Sequence, residues 1–96
     1  MFMVIGYNHQ MKSQNEILII LGDIIKDYRE NKAITQEELS FKCDVHRNRI
    51  SLIELGQVNI TFTTLLKLMY HLNIPATKID EVLNTPNLIK LLYPKK

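Results

Sequence analysis

The chain is short of several things, and each absence removes a class of function. There is one cysteine, Cys43, in 96 residues. No internal disulfide can close and no cysteine-based metal cluster can assemble; a lone thiol fits a reducing compartment. The formal net charge is only +2, which permits nucleic-acid binding without requiring it, so any case for DNA rests on where the cationic side chains sit. No apolar run approaches the roughly 18 residues that a membrane helix needs. The apolar opening, residues 1–7, has neither a basic stretch before it nor a small-residue cleavage site after it, so no signal peptide is expected. The expectation is a cytoplasmic protein with no membrane partner. His9 and His71 have no companion at metal-ligand spacing. There is no glycine-rich phosphate loop, no nucleophile with a matching histidine and acid, and no framed pair of carboxylates. No catalytic residue, metal site or cofactor is therefore assigned, and an enzyme is not expected.

What is present reads as one folded unit. Hydrophobic residues make up 46% of the chain and charged residues 23%, ordinary values for a globular domain of this length. Residues 1–14 lack a helical period and carry Gly6, Asn8, Gln10 and Ser13. They are expected as a loosely ordered arm, with room for a short strand around residues 3–5 or for packing on a partner subunit. Residues 15–85 form the main domain, and residues 86–96 a C-terminal extension. Strand-like alternation is absent after residue 15, as are repeats and low-complexity segments.

The apolar positions from about Glu16 to Lys32 are Ile17, Leu18, Leu21, Ile24, Ile25 and Tyr28. Spacings of three and four place them on one face of an amphipathic helix, with Asn15 as a candidate cap. Residues 35–43 open with a capping box, in which Thr35 accepts from the amide of Glu38 and the Glu38 carboxylate reaches back to the amide of Thr35. Asp44 follows, one of the few non-glycine residues that tolerate a left-handed turn. A third helix over about 46–55 turns Val45, Ile50 and Ile53 inward and stops at Gly56. Thr61 or Thr63 can cap a fourth helix carrying Leu65, Leu66, Leu68, Met69 and Leu72. A fifth stretch covers 76–83, and Pro86 sets off a last apolar segment at 88–93. The architecture predicted is all-α, with about five helices.

Two short helices joined by a three- to four-residue turn have the geometry of a helix-turn-helix, here at about 35–55. The second of them starts His46-Arg47-Asn48-Arg49, an unusual opening for a helix that only packs. Arginine can pair with guanine O6 and N7, and asparagine with adenine N6 and N7, and the first turn of such a helix is the part that enters the major groove.

These residues resemble the Cro/repressor (XRE-type) helix-turn-helix family, with a lambda-repressor-like fold. The resemblance runs from about Leu21 to Leu83. It is carried by Leu21, Gly22, Ile25 and Arg29, by the run Thr35-Gln36-Glu37-Glu38-Leu39-Ser40, by Val45, by Ile50, Ser51, Ile53, Glu54 and Gly56, and by Leu65 and Leu68. It implies a sequence-specific transcriptional regulator that binds double-stranded DNA as a homodimer on palindromic operators. Base contacts would fall to His46, Arg47, Asn48, Arg49 and Ser51, and backbone contacts to Gln36, Thr35 and Asn59. Arg29 and Glu54 would form a structural ion pair. Three positions depart from the family pattern. Asp44 stands where glycine is usual, and Leu52 and Leu55 stand where polar or basic residues often touch DNA, so that Leu55 removes an expected phosphate contact.

Other residues are expected to serve the fold. Cys43 reads as a small core residue. Ile79, Val82, Leu83, Leu88, Leu91, Leu92 and Tyr93 exceed what a minimal DNA-binding core needs to cover, and are expected at a dimer interface. Within the family the length and C-terminal extension look similar to restriction–modification controller proteins. Two rival readings share the fold: an antitoxin that sequesters a second protein, and an adaptor that has lost DNA binding. The low net charge and the acidic pair Glu37-Glu38 favour the adaptor.

Overall fold

A computed structural model describes the backbone of residues 2–93 and the side chains of residues 16–93. The end of the expected C-terminal extension, residues 94–96, lies outside the described residues, as does the side-chain packing of the expected arm. The described chain folds into six helices: α1 (Phe2–Asn31), α2 (Gln36–Cys43), α3 (Arg47–Glu54), α4 (Phe62–Leu72), α5 (Thr77–Leu83) and α6 (Leu88–Leu92). The all-helical expectation is met among these residues; the short strand allowed around residues 3–5 is not formed, that segment being part of α1, and the last apolar segment becomes a sixth, short helix. No described helix is long and apolar enough to cross a membrane.

The helix expected from about Glu16 begins at Phe2 in α1, so position 15 lies inside the helix and is not its start. Gly6, Asn8 and Ser13 weaken a helix without stopping it. Each costs at most about 1 kcal/mol against alanine, and extending a helix already nucleated by packed residues is far cheaper than starting one.

The other boundaries follow local chemistry. In α2 the capping box is complete: Glu38 N donates to Thr35 Oγ1 at 3.0 Å and Thr35 N donates to Glu38 Oε1 at 2.7 Å. Asp44 ends α2 in the left-handed region, at φ 55°. Thr61 caps α4 by accepting from Thr64 N. Gly56 takes φ +72° after α3 and lies against Ile19, leaving no room for a side chain.

The core is built from the inward faces of the first four helices. Ile25, Leu39, Ile50, Leu68 and Leu72 are fully enclosed, with Cys43, Val45, Ile53 and Ile74 around them. α1 forms the spine and meets α3, α4, α5 and α6, while α2 rests on α3 and α4. Gly22 lets α1 approach the end of α3, since a Cβ there would collide with the backbone oxygens of Ile53 and Glu54. The last two helices contribute no fully buried residue.

Candidate nucleic-acid interface

The position of α3 is fixed from behind. Arg29, on α1, donates through Nε to Glu54 Oε2 at 2.7 Å and through Nη2 to Glu54 Oε1 at 3.0 Å. Its remaining nitrogen, Nη1, donates to the carbonyl of Ile34 at 2.8 Å. Gln36, at the first position of α2, donates through Nε2 to the same Glu54 Oε1 at 3.0 Å. One carboxylate at the end of α3 therefore collects donors from α1 and α2. Arg29 is only 9% exposed and Glu54 5%. Donating to the Glu54 carboxylate raises the Arg29 pKa above its ordinary value, against the opposing pull of burial. A fork-to-fork pair of this kind adds directional constraint to charge attraction.

The front of α3 is the opposite case. His46 caps the helix, its Nδ1 accepting from Asn48 N at 3.1 Å. With Nδ1 used as an acceptor, the neutral ring carries its proton on Nε2. Arg47 and Asn48 are exposed, and among the described residues no hydrogen bond or ion pair occupies either side chain. Arg49 is held back: its Nη2 donates to the carbonyl of Asn59 at 3.0 Å, bracing α3 to the loop before α4. Ser51 is half-buried.

The structure thus gathers Arg47, Asn48 and His46 at one exposed helix tip, with Arg49 and Asn59 tied together beside it. Thr35 and Gln36 sit at the start of α2, where Thr35 is engaged in the capping box and Gln36 in the Glu54 network. Sequence reasoning missed that Gln36 reaches Glu54, 18 positions away; no local pattern signals such a link. For His46, expected as a base reader with capping of α3 as the other role open to it, the structure shows the cap.

The seven apolar C-terminal residues divide. Ile79, Val82, Leu88 and Leu91 are half-buried within the subunit, in two helices that pack on α1, whereas Leu83, Leu92 and Tyr93 are exposed. Ile89 is also exposed, as are Phe41, Phe62, Leu66 and Tyr70 on α2 and α4, none of which the sequence reading singled out as surface. Cys43 is buried with its Sγ 3.7 Å from the Lys67 carbonyl, and burial raises its thiol pKa.

An exposed, basic helix tip carried on a short helix-turn-helix is the arrangement of a DNA-binding regulator, and the helix-turn-helix family matches residues 25–86. The chain belongs to that family, in its Cro/repressor type. More particularly, it is similar to control protein C.BamHI of Bacillus amyloliquefaciens, with 34% identity over 68 residues that make up 69% of this chain and 84% of that protein. It also resembles the crystal structure of the restriction–modification controller protein C.AhdI from Aeromonas hydrophila. That match has a TM-score of 0.60 and 29% identity, and covers 65% of this chain and 94% of the other.

Proposed function

We propose that this protein is a controller of restriction–modification genes, binding a palindromic operator as a homodimer in the cytoplasm. The observation that carries the reading is the free pair Arg47 and Asn48 on the first turn of α3, set on a frame shared with proteins named as controllers. Arg47 and Asn48 choose the sequence through base edges. His46 Nε2–H, Arg49 and Ser51 lie close enough along the helix start to assist, the first as a donor to base or phosphate. Thr35, Gln36 and Asn59 serve the DNA backbone, with Gln36 exchanging its bond to Glu54 for one to a phosphate. Phosphate contacts supply much of the affinity and its salt dependence.

Two copies related by a two-fold axis would set their α3 helices in successive major grooves, about 34 Å apart. Leu83, Leu92 and Tyr93, with Ile89 beside them, supply the apolar surface for that pairing. Neither the fold nor the relatives favour the antitoxin or adaptor reading, and Glu38 of the acidic pair is accounted for by the capping box at the start of α2.

The test is fluorescence anisotropy at near-physiological salt, comparing DNA upstream of the protein's own gene with a scrambled duplex of equal length. Binding at least about 10³-fold tighter to the upstream DNA supports an autoregulating controller. Weak and equal binding to both would sink it.

A further inference from the structure

We infer that Leu52 reads the 5-methyl group of a thymine, next to the base pair contacted by Asn48, so that each operator half-site is required to carry a thymine there. This rests on the DNA-binding reading above and gives it a chemical prediction.

The argument starts from helix geometry. The residues of α3 that face the core are Ile50, Ile53 and Glu54. At 100° per residue the stripe directly opposite holds Asn48, Leu52 and Leu55, spaced four and then three apart. The helical hydrogen bonding runs to Leu55, whose N donates to Ser51 O at 3.1 Å, so the stripe is continuous. Leu52 is 38% exposed and Leu55 57% exposed. Neither side chain is needed to close the core, because the opposite face already does so.

The neighbours of Leu52 narrow what it can do. Arg49, in the first turn, is drawn toward the loop before α4 by one hydrogen bond, Nη2 to the Asn59 carbonyl, and Ser51 is small and half-buried. Beyond the first turn, then, the large side chain presented to a groove is a branched hydrocarbon with no donor or acceptor. The major groove offers one apolar feature, the thymine methyl, and leucine can recognise nothing else there. A leucine facing any other base would cover polar edges without bonding them, which costs affinity. Leu52 follows Asn48 by one helical turn, so the thymine lies beside the position that Asn48 reads. Leu55, nearer the helix end, extends the apolar stripe away from the tip.

The experiment uses the full chain and the tightest duplex recovered by selection from random DNA. Each half-site thymine is replaced in turn by deoxyuridine, which removes the methyl and keeps every hydrogen-bonding group. For the wild type, one replacement per half-site should weaken binding about four-fold, the value of one buried methyl group. Leu52→Ala should bind the thymine duplex about four-fold more weakly and respond to that deoxyuridine by less than about 1.5-fold. Thermal melting of Leu52→Ala, whose lost side chain is outside the core, checks that the fold is intact. The inference is overturned if no deoxyuridine weakens the wild type, or if Leu52→Ala remains as sensitive as the wild type. If selection recovers no preferred duplex at all, the DNA-binding reading itself has failed, which is a different result from specific binding that ignores the methyl.

Discussion

The two faces of α3 are made from the same eight residues and are built on opposite terms. Behind, Ile50 and Ile53 are sealed in the core and Glu54 accepts three hydrogen bonds from two other helices. In front, Arg47 and Asn48 are exposed and unoccupied. The rear face spends its polar groups on the protein and leaves none over; the front keeps its own for something outside. A side chain at the back is therefore tested by stability, and one at the front by binding.

Breaking the rear face should give the largest effect. Glu54→Ala strands the Arg29 guanidinium beside the Ile34 carbonyl and the outlying Glu30, 4.0 Å away. A buried charge deprived of its partner costs about 3–5 kcal/mol, so urea or thermal unfolding should show a midpoint far below wild type. A shift under about 1 kcal/mol would mean that the pair contributes little to holding α1 against α3. Ile50→Ala should follow at about 2–5 kcal/mol, since the residue is fully enclosed and leaves a cavity; it should lower DNA affinity only as far as it lowers the folded fraction.

The front face predicts the converse. Arg47→Ala should leave the unfolding midpoint unchanged and cost roughly 1–3 kcal/mol on the preferred duplex, with the preference relaxed at one base pair. An equal loss on every sequence would make Arg47 a phosphate contact. The smallest effect belongs to Cys43. Its thiol pKa is raised by burial, so the unfolded thiol ionises first and any stability due to the neutral form is complete below the unfolded pKa. That contribution fades as pH rises through about 8.5 towards the folded value. The stability advantage of wild type over Cys43→Ala should shrink between pH 8 and pH 10; a constant gap would show that the thiol is not coupled to folding.

The contrast also separates what the sequence showed from what it hid. The Thr35–Glu38 capping box, the left-handed Asp44 and the Thr61 cap are contacts within a few residues, and each was legible from residue type and spacing. The inward positions of Ile50 and Ile53 follow from helical period alone, while Val45 is buried from the turn between α2 and α3. The start of α1 was hidden because Gly6 and Asn15 look like stops, while helix propagation tolerates both. The Gln36–Glu54 bond was hidden because it joins elements by tertiary packing. At the tip, residue type named Arg47 and Asn48 as candidates and allowed His46 as a cap, yet could not tell that Arg49 would donate to the Asn59 carbonyl.

Gly22 carries a consequence for how such a protein can change. Any added side chain there would run into the backbone at the end of α3, so this position sets how near the reading helix stands to the long helix behind it. In the proposed pair of subunits a small displacement at that spot would be doubled across the two-fold axis, and two tips meant for grooves one turn of DNA apart would no longer match their spacing. On the proposed reading, any new vocabulary of bases would be written at Arg47, Asn48 and Leu52, whereas Gly22 is the fixed margin against which such text is set.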